Sequence, residues 1–225
     1  MGPLGDRDLP FLPAGRYIRA MTGPDFSFEH DLITQGFPRI AGVDEVGRGP
    51  LCGPVTAAAV VLDPARIPAG LNDSKKLTEK KRQALLEELR DCAEISVAHA
   101  SPAEIDEHNI LRASHLAMER AVAGLRQPPH HCLIDGNMIP RGLTIPATTV
   151  VKGDARSVSI AAASIAAKIA RDAIMRDLAQ HFPGYGWETN QGYPSKSHIS
   201  ALQAIGVTPH HRKSFKPVYN ILCKA

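Results

Sequence analysis

Three short apolar segments of this chain each end at acidic residues, and this feature constrains the fold most. The acids are Asp44 and Glu45 in residues 39–46, Asp135 in residues 131–135, and Asp154 just after residues 147–152. Apolar runs of this length, bounded by turn residues, predict buried β-strands. Open α/β sheets keep their sites at strand ends. The sequence therefore predicts a mixed sheet that gathers these acids at one edge.

Two further strands and four helices complete the predicted pattern. Residues 55–62 and 94–100 predict strands, and the Gly- and Pro-rich residues 47–54 suit a hairpin-like turn. The predicted helices run from the cap Thr78 to about Cys92, from the capping box at 101–104 to Gly124 with a break near Asn109, over 157–182, and from the cap Ser195. This order of elements predicts the α/β class, with helices flanking the sheet.

The length of 225 residues and the apolar content of 44% suit one domain. Residues 38–219 are predicted to form it. Residues 1–37 mix Gly, Pro and charge without periodicity, so we expect an N-terminal extension that is flexible or draped over the domain, and residues 220–225 are expected to be a tail.

Composition excludes several classes of protein. The four cysteines form no C-x-x-C pair, and Cys52 and Cys132 lie in apolar stretches typical of buried free thiols, which indicates a reducing compartment. The sequence has neither an apolar run of membrane-spanning length nor a signal-peptide pattern at its start, so we expect a cytoplasmic protein without membrane association. The net charge of +3 is too small to identify a nucleic-acid binder.

The four acids are the strongest chemical signal. Carboxylates placed this close repel one another, so their cluster persists most easily when cations neutralise it. Oxygen ligands without nearby Cys or His favour Mg²⁺ or Mn²⁺ over Zn²⁺. Because neighbouring strand residues point to opposite faces, Asp44 and Glu45 require a bend before Gly47, or a contribution from the Glu45 carbonyl. For any one acid alone, a salt-bridged or loop-facing role is the alternative.

The segment Gly47-Arg48-Gly49 allows backbone N–H groups to approach a sugar or phosphate closely. A plain tight turn is an equally good interpretation before context is added. A dinucleotide-binding loop fits poorly, because the spacing to Gly53 is G-x-G-x-x-x-G and a strand rather than a helix follows.

Other polar residues give weaker signals. Two basic runs, at 75–82 and 212–216, are each suited to contacting phosphates, although a solvated helix face explains the first equally well. Tyr193 lies in a polar loop where its ring could stack on a sugar or base, whereas a packing role is the usual one for a loop Tyr. The pairs His130-His131 and His210-His211 lack chelate spacing and are interpreted as solvent-exposed or supporting residues.

Six ordered motifs, spanning roughly residues 40–219, resemble the ribonuclease HII family. They are DEVGRGPLCGPV (44–55), LNDSKKLT (71–78), LIDGN (133–137), KGDARSVSIAAASIAAKIARD (152–172), GYPSKSH (192–198) and HHRKSFKPV (210–218). The resemblance implies a ribonuclease H-like fold with a small C-terminal helical part. It also implies an endonuclease acting on RNA-DNA hybrids and on single ribonucleotides embedded in duplex DNA. We expect a monomer.

The resemblance assigns roles residue by residue. It makes Asp44, Glu45, Asp135 and Asp154 the acids that bind Mn²⁺ or Mg²⁺. It makes Gly47, Arg48 and Gly49 the loop that senses the 2′-OH, with Tyr193 stacking on the adjoining deoxyribose. The further substrate-groove positions are Lys75, Lys76, Lys152, Ser164 and His198, and Asp172 is expected to support the acids.

The mechanism expected from these roles uses two ions about 3.5–4 Å apart, one activating water and one stabilising the leaving 3′ oxygen. Cleavage would fall 5′ to the ribonucleotide and leave a 3′-OH and a 5′-phosphate. Three alternative functions fit the sequence less well. The sister family ribonuclease HIII is expected to carry Gly-Lys-Gly at the loop where this chain has Gly47-Arg48-Gly49. A nucleic-acid-binding module without catalytic activity predicts that some of the four acids are missing, whereas all four are present. A nucleotide-dependent oxidoreductase requires a glycine spacing that this loop does not have.

Overall fold

A computed structural model describes residues 23–223. Its sheet has five strands in the spatial order β3-β2-β1-β4-β5. The strands are β1 (Ile40–Val46), β2 (Val55–Leu62), β3 (Ala93–Ala100), β4 (His131–Asp135) and β5 (Ala147–Val150). β1 pairs antiparallel with β2 and β2 with β3, whereas β1–β4 and β4–β5 are parallel. The predicted mixed sheet is confirmed, with β5 ending two residues earlier than expected.

Within residues 23–223, seven α-helices accompany the sheet. They are α1 (Ser27–Thr34), α2 (Glu79–Cys92), α3 (Pro102–Ala123), α4 (Val158–His181), α5 (Trp187–Asn190), α6 (Lys196–Ile205) and α7 (Lys216–Leu222). The caps predicted at Thr78, Ser101 and Ser195 all accept the expected backbone N–H bonds. Asn109 interrupts α3 with φ 67° and ψ 163°, so the predicted break is confirmed. None of the helices in residues 23–223 is long and apolar enough to cross a membrane.

The two faces of the sheet carry separate cores. On one face, alternate residues of β1 and β2, such as Val43 and Ala57, pack with the alanines of α3. On the other, Ala58 and Val60 pack with α2 and α4. Gly42 lets α4 approach β1 closely, since a Cβ there would overlap the backbone of Ser159 and Ile160. The small residues of α4 thus place its first turn directly over β1.

The C-terminal part forms a small helical unit around its own apolar cluster. Trp187, Met175, Leu202 and Val218 are buried there. Cys52, from the turn between β1 and β2, joins this cluster, so the unit is anchored next to the acidic edge of the sheet. The prediction of buried free thiols is confirmed for Cys52 and Cys132.

Three helices were absent from the sequence predictions. α1 lies in the predicted extension, of which residues 1–22 fall outside the described part, and α5 lies in the expected polar loop 183–194. α7 begins inside the predicted domain and runs into the expected tail, which was predicted to start at residue 220. Each is short, with four to eight residues, so its stability depends on tertiary packing rather than on helix propensity.

Candidate active site

The sheet brings three of the predicted acids together. Asp44 and Glu45 lie near the end of β1, and Asp135 ends the neighbouring parallel strand β4. One oxygen from each of these three side chains lies within 4.8 Å of the others. Asp44 is only 6% exposed. Three carboxylates from two adjacent strands therefore share one partly enclosed space.

Asp44 and Glu45 reach this space without an interruption of the strand ladder. Pairing with β2 stays in register through Val46, so the expected sharp bend does not break the pairing. Asp44 Oδ1 accepts a hydrogen bond from its neighbour's backbone, Glu45 N, at 2.7 Å, which folds that carboxylate back along the chain. A Glu45 carboxylate oxygen lies within 4.8 Å of oxygens of Asp44 and Asp135, so the side chain reaches the cluster without a contribution from the Glu45 carbonyl.

Asp154 stands beside this cluster rather than inside it. It lies in a single 3₁₀ turn, Gly153–Ala155, after β5. Its negative charge contributes to raising the pKa of Asp44. Gly153 N donates to Asp135 Oδ1 at 2.7 Å, so the turn is tied to the acid that ends β4. The pKa of Asp154 is raised by burial and then by the charges of Asp73 and Asp135. Asp73, which the sequence reasoning did not single out, is thus a fifth acid close to the site.

The cluster carries negative charge that nearby cations compensate only in part. The pKa of Asp44 is raised well above its ordinary value, first by burial and then by the charges of Glu45, Asp135 and Asp154. Burial also raises the pKa of Glu45, and the nearby Arg48 guanidinium opposes that shift. Glu45 Oε2 is buried and accepts no hydrogen bond from the described residues. A buried set of hard oxygen donors with an unused acceptor fits a divalent cation such as Mg²⁺ or Mn²⁺.

The loop Gly47-Arg48-Gly49 follows the acids directly. Gly47 has φ +93°, and a Cβ there would overlap the Arg171 side chain, so glycine is required for both conformation and space. Gly49 faces Tyr193: a Cβ built on Gly49 would lie 3.3 Å from Tyr193 Cε1. The loop and the tyrosine, which is 44% exposed, therefore form one surface beside the acids.

Arg212 holds this loop from beneath. Its guanidinium is fully buried and donates to the carbonyls of Gly47 (2.6 Å), Arg48 (3.0 Å) and Gly53 (2.9 and 3.0 Å). Burial lowers the pKa of Arg212 to about 9, with the neighbouring charge of Arg171 acting in the same direction, so the group stays cationic at neutral pH. Arg212 therefore does not have the phosphate-contacting role suggested for the basic run 212–216, because all its donors face the protein interior.

His198 is also misassigned as a substrate contact, since it is fully buried. Its Nδ1 donates to the Tyr193 carbonyl at 3.0 Å, and its Nε2 accepts from Trp187 Nε1 at 3.0 Å and from His211 Nε2 at 3.2 Å. His211 Nδ1 in turn accepts from Thr208 N at 3.0 Å. Of the two roles predicted for His211, solvent exposure or support, the buried ring has the supporting one, and both histidines act as neutral supports of the tyrosine loop.

Cys52, His198 and His211 also place donor atoms within 4.8 Å of one another. Burial raises the pKa of the Cys52 thiol to about 12, and both histidines already use their ring nitrogens in the hydrogen-bond chain. The buried Arg171 guanidinium donates to the Cys52 carbonyl at 3.2 Å and would repel a cation. This second cluster is therefore a hydrogen-bonded support and not a metal centre.

Lys75 lies close to the acids, whereas Ser164 is buried. Lys75 and Lys152 are exposed, and the charges of Asp73, Asp44 and Asp154 raise the pKa of Lys75 against the opposing effect of burial. Ser164 is buried and donates to Ser74 Oγ at 2.7 Å, so it positions the turn that carries Lys75. This burial argues against the substrate contact that was expected for Ser164. Lys76 is exposed in the same turn, and Asp172 pairs with Lys168 at 2.7 Å.

Comparison with known proteins finds similarity over most of the chain. A family described as Ribonuclease HII matches residues 41–218. A ribonuclease HII from Ruegeria sp. (strain TM1040) is 69% identical over 211 residues, covering 92% of each chain. A crystal structure of ribonuclease H2 from Pyrococcus horikoshii OT3 is similar with a TM-score of 0.67 and 28% identity, covering 83% of this chain and 98% of that one.

A third comparison bears on the fold alone. The crystal structure of Bst-RNase HIII in complex with Mn²⁺ superposes with a TM-score of 0.64 at 20% identity, covering 83% of this chain and 70% of that one. The mixed sheet and its flanking helices are thus shared with both groups of enzymes. The sequence similarity is to ribonuclease HII.

Proposed function

Because this chain belongs to the ribonuclease HII family, we propose that it hydrolyses the RNA strand of RNA-DNA hybrids and cuts 5′ of single ribonucleotides in duplex DNA. The observation that carries this proposal is the group of three carboxylates within 4.8 Å, placed next to the Gly47–Gly49 loop and Tyr193. An acidic centre alone would suit many metal enzymes. The adjoining loop and aromatic ring add a surface suited to a sugar.

Asp44, Glu45, Asp135 and Asp154 are proposed to hold Mn²⁺ or Mg²⁺. The mutual charge effects among these acids and the unused Glu45 Oε2 support this assignment. When bound, the divalent ions would supply activation of a water molecule and stabilisation of the leaving 3′ oxygen. The Mn²⁺ complex of Bst-RNase HIII, which shares the fold, agrees with manganese as one usable ion.

The chain's own residues are proposed to select and orient the substrate. Backbone N–H groups of the Gly47–Gly49 loop would approach the ribose, where the 2′-OH distinguishes RNA from DNA. Tyr193 packs against Gly49 and keeps 44% of its surface free, which suits stacking on the next deoxyribose. Arg48, half exposed at 50%, is available to a phosphate while it pairs with Glu45 at 3.3 Å. The exposed Lys75, Lys76 and Lys152 would neutralise further phosphates.

The products follow from which group attacks. If water is the nucleophile, the ribonucleotide keeps its 2′-OH and acquires a 5′-phosphate, and the upstream strand ends in a 3′-OH. Attack by a neighbouring 2′-OH would instead leave a cyclic phosphate. In cutting 5′ of a lone ribonucleotide, the upstream sugar is a deoxyribose that has no 2′-OH to attack, which supports hydrolysis by water.

The test is a nicking assay on a DNA duplex that contains one ribonucleotide, with the all-DNA duplex as control. With Mn²⁺ or Mg²⁺ we expect a single cut 5′ of the ribonucleotide, with a 3′-OH that a DNA polymerase extends. A product resistant to extension would contradict hydrolysis by water, and equal cutting of the all-DNA duplex would contradict the role of the 2′-OH.

A further inference from the structure

Helix α1 buries a carboxylate at the start of helix α4. Glu29 is 2% exposed, and its Oε1 accepts from Ser157 Oγ at 2.5 Å, Ser159 Oγ at 2.5 Å and Ser159 N at 2.9 Å. Its Oε2 is buried with no hydrogen-bond partner among the described residues. Ser157 is the N-cap of α4, so Glu29 places a negative charge at the positive end of this helix.

The backbone before α1 fixes the same segment. Asp25 forms a parallel bridge with Ser157: Asp25 N donates to Arg156 O and Val158 N donates to Asp25 O, both at 3.1 Å. The Arg156 guanidinium lies over the Phe28 ring at 4.9 Å. Side-chain and backbone contacts from residues 25–29 therefore hold residues 156–159 on several sides.

The segment that is held leads directly to the acids. Ser157 N and Arg156 N donate to Gly153 O at 2.8 and 2.9 Å, which closes the turn carrying Asp154. Gly153 N donates in turn to Asp135 Oδ1. A continuous path of hydrogen bonds therefore runs from Glu29 through Ser157 and Gly153 to Asp135.

The same segment also rests on β1. A Cβ on Gly42 would overlap the Ser159 backbone, so Ser159 lies against the strand two residues before Asp44. Glu29 thus binds the segment 157–159, which contacts β1 on one side and closes the Asp154 turn on the other. The positions of Asp44, Asp135 and Asp154 relative to one another depend on where α4 begins.

We propose that Glu29 is a positioning residue for the acidic centre: by fixing Ser157 and Ser159, it sets the Asp154 turn against β1 and β4 and thereby sets the affinity for the divalent ion. The proposal rests on the proposed function, in which Asp154 is a metal ligand. α1 lies outside the 41–218 range of the family match.

Simple packing does not account for this carboxylate. The two buried residues of α1 are Glu29 and Leu32, and Leu32 already supplies an apolar anchor in a cluster with Ile40, Leu133, Val150 and Ile160. A buried carboxylate with one unpartnered oxygen is costly unless the hydrogen bonds that it makes matter elsewhere. Groups that support metal ligands typically change metal affinity or activity by about 10- to 100-fold when they are removed.

The experiment measures Mn²⁺ affinity by titration calorimetry on the full chain, for wild type, Glu29→Gln and Glu29→Ala. Leu32→Ala is the matched control, because it loosens the same helix and leaves the carboxylate in place. Asp31→Asn removes an exposed charge from the same helix. Hydrogen exchange of the amides at 153–160 in metal-free protein supplies a second readout that is independent of activity.

We expect Glu29→Ala to bind Mn²⁺ about tenfold more weakly and to exchange the 153–160 amides faster, with Glu29→Gln intermediate. Leu32→Ala should lose thermal stability but keep its Mn²⁺ affinity within twofold, and Asp31→Asn should match wild type. Unchanged affinity in both Glu29 variants, or an equal loss in Leu32→Ala, would overturn the proposal. If Glu29→Ala does not fold, the Glu29→Gln result decides.

Failure of this inference is distinguishable from failure of the proposed function. Asp154→Asn is measured in parallel. If Asp154→Asn binds Mn²⁺ as tightly as wild type, the ligand assignment fails and the positioning role fails with it. If Asp154→Asn loses affinity while the Glu29 variants do not, only the positioning role is refuted.

Discussion

Replacing Arg212 tests the claim that a buried guanidinium holds the Gly47–Gly49 loop. It makes four hydrogen bonds to three carbonyl oxygens, of Gly47, Arg48 and Gly53. Each carbonyl left buried without a donor costs roughly 1–3 kcal/mol. Arg212→Ala would strand all three, a loss of about 4 kcal/mol or more, which is a large part of the roughly 5–15 kcal/mol that stabilises a typical domain.

Arg212→Lys is the more informative variant, because it keeps the cation. A lysine ammonium lacks the planar fork that reaches several carbonyls at once, so at least one acceptor would lose its donor, at a cost of about 2 kcal/mol. The loop that faces the ribose would also become less ordered. We therefore expect a higher KM for a duplex with one ribonucleotide, with a smaller change in kcat.

Urea unfolding and steady-state nicking measure these two effects. The control is Lys213→Ala, which removes an exposed cation next to Arg212 and should change stability by less than about 0.5 kcal/mol. If Arg212→Lys retained wild-type stability and KM, or if Lys213→Ala lost as much stability as Arg212→Lys, the loop would not depend on the buried guanidinium.

Three further predictions concern charge and capping. Asp44→Asn should raise the melting temperature of metal-free protein, because it removes a buried charge that the neighbouring acids oppose; a lower melting temperature would contradict that repulsion. Burial lowers the pKa of His211 to about 4 in the folded protein, so as the pH falls below about 6.5 the unfolded chain binds a proton before the folded chain does. The free energy of unfolding should therefore fall by up to about 3 kcal/mol between pH 6.5 and pH 4. Urea unfolding measured across this pH range should show a smaller fall in His211→Asn. Ser101→Ala should cost about 1 kcal/mol in urea unfolding by removing the capping box of α3, and no loss would contradict the cap.

Strands and long helices were predictable because their signals are local. The bounds of β2 and β4 follow from the apolar runs. The starts of α2 and α3 follow from the N-cap Thr78 and from the capping box at Ser101. The gathering of Asp44 and Asp135 follows from strand-end placement in a mixed sheet. Asp154 lies beside rather than inside the three-acid cluster because β5 ends at Val150 and a 3₁₀ turn intervenes.

The buried polar residues were not predictable from local pattern. Arg212 lies in a basic run, a pattern that indicates solvent exposure. Its guanidinium is instead buried and donates hydrogen bonds to backbone carbonyls of a turn more than 150 residues earlier in the sequence. His198 and His211 share a hydrogen bond across two separate segments. Charged and polar side chains are rarely this buried unless they are paired, and their partners are visible only in the folded chain.

Helix α1 shows the same limit at the level of an element. Its sequence offers a single buried apolar residue, Leu32, and no side-chain cap. Its residue Glu29 contacts Ser157 and Ser159, which follow it by 128 and 130 residues in the sequence. Tertiary packing therefore decides whether this segment is helical.

The central claim is that the clustered carboxylates bind divalent cations. Calorimetric titration of Mn²⁺ into wild type and Asp135→Asn, at neutral pH and with both proteins shown to be folded by circular dichroism, tests it most directly. We predict saturable binding to wild type and at least tenfold weaker binding to the variant. Equal affinity in the two proteins, or no heat of binding to wild type, would contradict the account.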